Sequence, residues 1–233
     1  MKYFLTFVLL TYMVSFSYGQ DIGGISGLDF DRNYDINIYR SNPEQFEGTP
    51  FYKEDWTQGF VILNCQSKTE NIGLMYSSYS DELFFKKNGQ LLAVKPNSFK
   101  GFVLRLEDGP VTFKNGFKSS ENDITKDMTL EVIYSGAVKL LTQHEKKIFE
   151  RNSDPLTSEV TKSFNAITTH YLVDRNGTWH EVDLDDDDIL EALGGNQDAM
   201  EKFADSQDID FEEKNDLNTL LKHYESLVMN TNQ

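Results

Sequence analysis

Apolar residues recur at every second position between Gly59 and Leu106, and turn residues interrupt this alternation. A period of two is typical of strands that bury one face. The pattern predicts five consecutive strands, at 60–65, 71–77, 82–86, 90–95 and 99–106. Because the connections between them are too short for crossover helices, the predicted sheet is antiparallel.

The clearest turn in this region is the Asn-Gly pair Asn88 and Gly89. Both residues tolerate the positive φ angles of a two-residue hairpin turn, so this pair sets the strand register on either side. Side chains two positions apart share a face of a strand. The register therefore predicts one buried row, formed by Leu83, Phe85, Leu92 and Val94.

Two further hairpins are predicted later in the chain. One pairs 129–134 with 137–142, and the other turns at Asn176 and Gly177, which places Tyr171 opposite Val182. Asn176 also begins a glycosylation sequon, but an Asn-Gly turn already explains its presence.

Between these hairpins lies a polar stretch, residues 143–169, which Pro155 interrupts. We interpret it as a long exposed excursion from the sheet. The β part as a whole, residues 50–182, is then mainly an antiparallel β-meander curled into a roll or partly open barrel.

The apolar period changes from two to about three and a half after Asp183, which predicts short helices over residues 183–233. The most regular apolar stripe belongs to the last helix and consists of Leu217, Leu220, Leu221, Tyr224, Leu227 and Val228. The fold class is therefore α+β, with a small C-terminal helical appendage. Such a stripe is usually core, with a groove for a partner as the alternative.

The amino-terminal residues have the features of a signal peptide. Lys2 precedes an apolar run at 4–16 that is too short for a membrane span, and small residues favour cleavage before Gln20. We therefore expect residues 1–19 to be removed from an exported chain with no transmembrane span. Cleavage at Gln20 leaves no cysteine for a lipid anchor, and the Gly- and Asn-rich segment 20–49 is predicted to be loosely ordered.

The net charge of −16 is concentrated in residues 183–233, which contain fifteen acidic and three basic residues. This charge disfavours nucleic acid and anionic membranes as partners. It indicates a solvated acidic face or a docking surface for a basic protein or for divalent cations. The only cysteine, Cys65, lies within an apolar run and is predicted to be buried, with an intermolecular or reactive thiol as the alternative.

Several stretches together resemble a group of uncharacterised exported proteins of Bacteroidota, of the flavobacterial type. They include TPFYKEDWTQGFVIL, YSSYSDELFFKKNGQLLAV, LEVIYSGAVKLLTQHEKK and HYLVDRNGTWHEV, and the likeness begins near Thr49. The group has no known activity, so the resemblance implies an envelope location and no catalytic residue.

Candidate chemistry is sparse in the sequence. The four histidines, His144, His170, His180 and His223, lack the spacing that places two imidazoles on one metal ion, so we expect solvated or hydrogen-bonded side chains. The aspartate run supplies candidate ligands for a divalent cation at Asp183, Asp185 and Asp187. No motif indicates a cofactor.

Adjacent acidic residues at the predicted 77–80 turn do not form a catalytic pair. Asp81 and Glu82 are expected to point to opposite faces, with Asp81 accepting backbone hydrogen bonds in the turn.

The leading functional prediction is a non-enzymatic binding or accessory module that contacts another envelope protein. A periplasmic location is favoured over the surface, because no C-terminal sorting domain is evident. Two alternatives stay open. A hydrolase of envelope glycans or peptides requires a pocket with two convergent carboxylates or a His–carboxylate pair, and a cation binder would use the aspartate run.

Overall fold

The computed structural model describes residues 30–31, 46–87, 90–95, 98–154 and 159–230. The predicted signal peptide, most of segment 20–49 and the turn residues Asn88 and Gly89 lie outside these ranges.

The described residues form twelve strands followed by three helices. The strands are β1 (Phe30–Asp31), β2 (Phe46–Glu47), β3 (Thr57–Leu63), β4 (Ile72–Ser77), β5 (Glu82–Lys87), β6 (Gln90–Val94), β7 (Phe99–Leu106), β8 (Gly109–Lys114), β9 (Leu130–Ser135), β10 (Lys139–Asp154), β11 (Glu159–Val173) and β12 (Trp179–Val182). The helices are α1 (Asp186–Leu193), α2 (Gln197–Gln207) and α3 (Lys214–Asn230).

All twelve strands belong to one open sheet in the order β1-β6-β5-β4-β3-β7-β8-β9-β10-β11-β12, with β2 added alongside β11. Every pairing is antiparallel except β2 with β11, so the predicted α+β class with a mainly antiparallel sheet and C-terminal helices is confirmed. One detail differs from a simple meander. After β6 the chain crosses back, and β7 pairs with the other edge of β3.

The β5–β6 hairpin has the predicted register. Leu83 faces Val94 and Phe85 faces Leu92, and all four side chains are at most 3% exposed. The opposite face of the same strands is also buried, because Phe84 packs with Phe51 and partly buried Trp56. These strands therefore have two buried faces.

Strands β3–β8 form what we call the self-covered half of the molecule. Its core is built from Val61, Leu63, Leu74, Tyr76, Leu83, Phe85, Leu92, Val94, Phe99, Phe102, Leu104 and Phe113. Phe102 stacks on Phe113 with 4.8 Å between ring centroids, and Tyr76 lies 5.2 Å from each of them. Because all of these residues belong to the sheet itself, the sheet curls over its own inner face.

Strands β9–β12 with α1–α3 form the helix-covered half. Its core combines sheet residues such as Leu140 and Leu172 with the stripe of α3, in which Leu217, Leu220 and Leu221 are fully buried. The prediction that this stripe is core is thus confirmed. Helix α1 begins at an Asp185 cap and ends before Gly194, as the acidic first turn and the glycine pair indicate.

The predicted excursion, residues 143–169, forms most of a long two-stranded arm. Strands β10 and β11 pair continuously from Lys139 opposite Val173 to Asn152 opposite Val160. Near its far end, Phe164 stacks on Phe46 and meets Tyr79 edge-on. Phe149, on the other face, is 49% exposed. The sequence of the arm lacks the apolar alternation that predicts strands, because most of its side chains are polar or half-exposed on both faces.

The predicted register of the last hairpin is wrong by one residue. Tyr171 pairs with Glu181 instead of Val182. The loop is longer than two residues, because Asp174 accepts hydrogen bonds from the backbone N–H groups of Asn176 and Thr178, and only Gly177 has a positive φ. The extra residue at Gly177 is a bulge, which shifts the pairing.

Candidate functional site

The first candidate site lies on the inner face of the sheet, between the cores of the two halves, and we call it the polar seam. It consists of Tyr52, Glu131, Thr142, His144, His170 and Lys214. Pairing in the sheet aligns Glu131 with Phe113 on one side and Thr142 on the other, which places these side chains at the boundary.

Glu131 is the centre of the polar seam, and its side chain is only 3% exposed. One carboxylate oxygen lies 2.7 Å from His144 Nε2, and the other accepts a hydrogen bond from Lys214 Nζ at the start of α3. Burial favours the neutral acid, but the hydrogen bonds and positive charges of His144 and Lys214 outweigh it, so the pKa of Glu131 is lowered.

Glu131 also interacts electrostatically with Tyr52 and His170. Burial and the negative charge of Glu131 raise the pKa of Tyr52 to about 12, and its ring lies 4.9 Å from that of His144. Thr142 Oγ1 is 2.9 Å from Nδ1 of His170, whose pKa is lowered by burial and by the charge of His144. His170 is therefore held as a neutral imidazole at pH 7.

The polar seam contains the His–carboxylate pair that the hydrolase alternative requires. Both oxygens of Glu131 are engaged within the protein, and Thr142, the hydroxyl nearest to the histidines, is 1% exposed. The arrangement fastens α3 to β9 and β10. Sequence reasoning missed it because Lys214 lies 83 positions after Glu131.

A second buried carboxylate, Asp81, lies in the β4–β5 turn. It accepts hydrogen bonds from the Thr129 backbone N–H at 3.0 Å and from Tyr76 Oη at 2.8 Å. Asp81 lies in the turn as predicted, but its backbone donor is the distant Thr129 instead of a residue of the turn. Burial raises the pKa of Asp81 to about 6. Glu82 instead accepts from Ser80, so the two neighbouring carboxylates do not converge.

The remaining histidines lie away from the polar seam. His180 Nε2 is 3.7 Å from an Asp174 carboxylate oxygen, and His223 stacks on Phe203 with 3.8 Å between ring centroids. The prediction that the histidines are hydrogen-bonded or solvated is confirmed for His144 and His170. For His180 it is wrong at Nε2, which is buried without a hydrogen-bond partner among the described residues, and His223 stacks on Phe203.

One of the three candidate cation ligands, Asp185, caps a helix. Asp185 accepts from the backbone N–H of Asp188, whose carboxylate accepts from the backbone N–H of Asp183. Asp187 lies in the first turn of α1 and is exposed. Across the ranges that the structure describes, no three His, Cys, Asp or Glu side chains are grouped so that they could hold a metal ion.

Cys65 is exposed, so the prediction of a buried cysteine is wrong. Strand β3 ends at Leu63 and the chain turns at 64–65, which carries the thiol out of the sheet. The Cys65 Sγ lies 2.9 Å from Ser67 Oγ, and this hydrogen bond lowers the pKa of the thiol.

The second site is a groove of about 670 Å³ on the outer face of β3, β7 and β8. We call it the outer groove. Its lining residues are Phe60, Ile62, Lys68, Val103, Arg105, Leu106, Pro110, Thr112 and Lys114. Within the described residues, none of its three cations forms an ion pair. Lys68 Nζ lies over the Phe60 ring, 4.8 Å from its centroid.

Strand register explains the floor of the outer groove. Phe60, Val103 and Thr112 are neighbours across the three strands and form one row. In the next row, Gly101 lies between Ile62 and Lys114, where a side chain would collide with the backbone of Phe113 and Lys114. The sequence carries a signal for this face, because β3 is apolar at Phe60 and Ile62 as well as at Val61 and Leu63, but alternation alone does not indicate a groove.

Comparisons with protein-family profiles, with curated proteins and with solved structures gave no match. Among the described residues, none of the three helices has the length and apolar character that crossing a membrane requires.

Proposed function

We propose that this chain is an exported, non-enzymatic binding module of the cell envelope, and that its ligand occupies the outer groove. The observation that carries this proposal is the contrast between the two sites. The groups able to do acid–base chemistry are engaged with one another in the polar seam. The outer groove instead combines an open apolar floor with three cations that lack described acidic partners.

The dimensions of the groove support ligand binding. Small-molecule sites usually have volumes of about 300–1,000 Å³, are largely apolar and contain a few polar groups that orient the ligand. The outer groove, at about 670 Å³ with an apolar floor and three cationic residues, has this composition.

The location is part of the proposal. Signal-peptide features at residues 1–19 support export, and the periplasm is the proposed compartment. A hydrolase is less well supported, because both carboxylate oxygens of Glu131 are engaged by His144 and Lys214.

Native mass spectrometry of the mature chain, recovered after exposure to an envelope extract, tests the proposal. We expect the wild type to retain an adduct of defined mass. Thr112→Phe, which places a large ring over the half-buried Thr112 position of the groove, should lose it. Lys202→Glu, at an exposed position on α2, is the control and should retain it.

Two outcomes would contradict the proposal. One is a wild-type chain that retains no adduct. The other is an adduct that Thr112→Phe retains unchanged while circular dichroism shows the variant folded.

A further inference from the structure

We infer that the outer groove binds a single-chain amphiphile with an anionic head group, a carboxylate or a phosphate. This inference rests on the proposed function and adds the chemical class of its ligand.

The floor of the groove selects an apolar chain. Phe60 and Val103 are adjacent across β3 and β7, and Ile62 follows in the next row on the same outer face. These side chains form a continuous apolar strip on the outer face of β3 and β7. Covering such a strip with an alkyl chain removes apolar surface from water on both partners.

The cations select the head group. Lys68 forms an isolated β-bridge with Ile62, and Lys114 lies at the other end of the same row, so the two lysines lie on either side of the groove floor. Arg105 lines the groove beside Pro110. An anion in the groove therefore meets positive charge on more than one side.

The negative charge of the rest of the molecule gives further support to an anionic head group. The chain has a net charge of −16, which repels anions in general. A cluster of three cations without described acidic partners is therefore a local exception around an apolar floor. The same net charge disfavours docking on an anionic bilayer, so the proposed ligand is a monomeric amphiphile in solution.

Titration of the mature chain with octanoate, decanoate and dodecanoate, each below its micelle concentration, tests the inference. Burial of each added methylene in an open groove should tighten binding by about two- to four-fold. Dodecyltrimethylammonium has the same tail with a cationic head and should bind at least about ten-fold more weakly than dodecanoate.

Variants locate the site. Lys114→Glu should weaken dodecanoate binding by about five-fold or more, and Thr112→Phe should abolish it, whereas Lys202→Glu should leave it unchanged. Circular dichroism and thermal melting check that each variant is folded.

Three results would overturn the inference. They are affinity that does not depend on chain length, equal binding of the cationic amphiphile, and association with phosphatidylglycerol vesicles in place of the monomeric amphiphile. If the groove-dependent adduct from the envelope extract proves to be a peptide or a neutral glycan, the proposed function stands and this inference fails.

Discussion

The two halves of this sheet differ in which elements form their cores and in the charge state of an acidic side chain within them. The self-covered half curls over its own side chains, and its buried acid, Asp81, is neutralised by protonation at mildly acidic pH, since its pKa is about 6. In the helix-covered half, side chains of α3 complete the core. That helix also supplies Lys214, which keeps Glu131 charged.

The difference shows that burial alone does not decide the state of a carboxylate. Both acids are desolvated, yet the pKa of Asp81 is raised and the pKa of Glu131 is lowered. What differs is the partner. Asp81 receives hydrogen bonds from Tyr76 and Thr129, whereas Glu131 contacts His144 and Lys214, which carry positive charge when protonated.

A substitution in α3 tests most directly whether the helix-covered half depends on this helix more than the self-covered half does. Leu220→Ala removes a fully buried side chain of α3 and should lower the free energy of unfolding by about 2–5 kcal/mol. Urea denaturation measures this loss. Hydrogen exchange should increase in β9–β12 more than in β3–β6, because only the helix-covered half depends on α3.

Met229→Ala, on an exposed position of the same helix, is the control and should change stability by less than about 0.5 kcal/mol. Equal loss of exchange protection in both halves would show that they do not differ in their dependence on α3.

Asp81→Asn tests the acid of the self-covered half. The folded-state pKa of about 6 lies above the ordinary value of 3.8 for an aspartate side chain, so the folded state binds more protons between pH 4 and 6. Wild-type stability should therefore fall as pH rises through this window, by about 2–3 kcal/mol relative to the variant. Urea denaturation across pH 4–7 measures the difference.

Asp123→Asn is the matched control, because Asp123 is exposed and has the same left-handed backbone conformation. It should follow the wild-type profile. Parallel profiles of the wild type and Asp81→Asn would refute the raised pKa.

Glu131→Gln tests the acid of the helix-covered half and should show the opposite pH dependence. The pKa of Glu131 is lowered on folding, so its contribution is present above the unfolded pKa and is lost as pH falls through the folded one. We expect the variant to be less stable by about 2 kcal/mol at pH 7, since Lys214 remains 48% exposed and partly hydrated.

The difference between the variant and the wild type should shrink on acidification. Glu150→Gln, which breaks the exposed pair with Lys162, is the control and should cost less than about 0.5 kcal/mol. A Glu131→Gln loss no larger than this would mean that the polar seam does not fasten α3.

Asp185→Ala is the smallest expected effect. It removes the side-chain cap of α1 and should cost about 1 kcal/mol in thermal or urea unfolding. Asp187→Ala, in the first turn of the same helix and exposed, should cost less. Equal losses would assign the aspartate run a role other than capping.

Local signals predicted the parts of the fold that depend on neighbouring residues. The Asn88–Gly89 turn leads to the observed pairing of Phe85 with Leu92. The apolar stripe of the last helix is likewise observed in the core. The register of the last hairpin failed because the Asp174 side chain organises a longer loop, a detail that alternation does not encode.

Local sequence signals do not predict contacts between residues that are far apart in the chain. The pairing of Glu131 with Lys214 depends on how a helix is placed on a sheet. The outer groove depends on β7 returning beside β3, which brings Phe60 next to Val103. Apolar alternation predicts the face of the sheet on which a side chain lies, but it does not predict which residues lie next to it on that face.

The pairing of β2 with β11 has a consequence for the order in which the molecule folds. Phe46 is aligned with Lys162, more than a hundred residues later, and it stacks on Phe164. Joining these two segments closes a long loop, whose entropy cost is met before the contact stabilises anything. Local hairpins such as β5–β6 can therefore form early, whereas attachment of β2 is expected to be a late folding event.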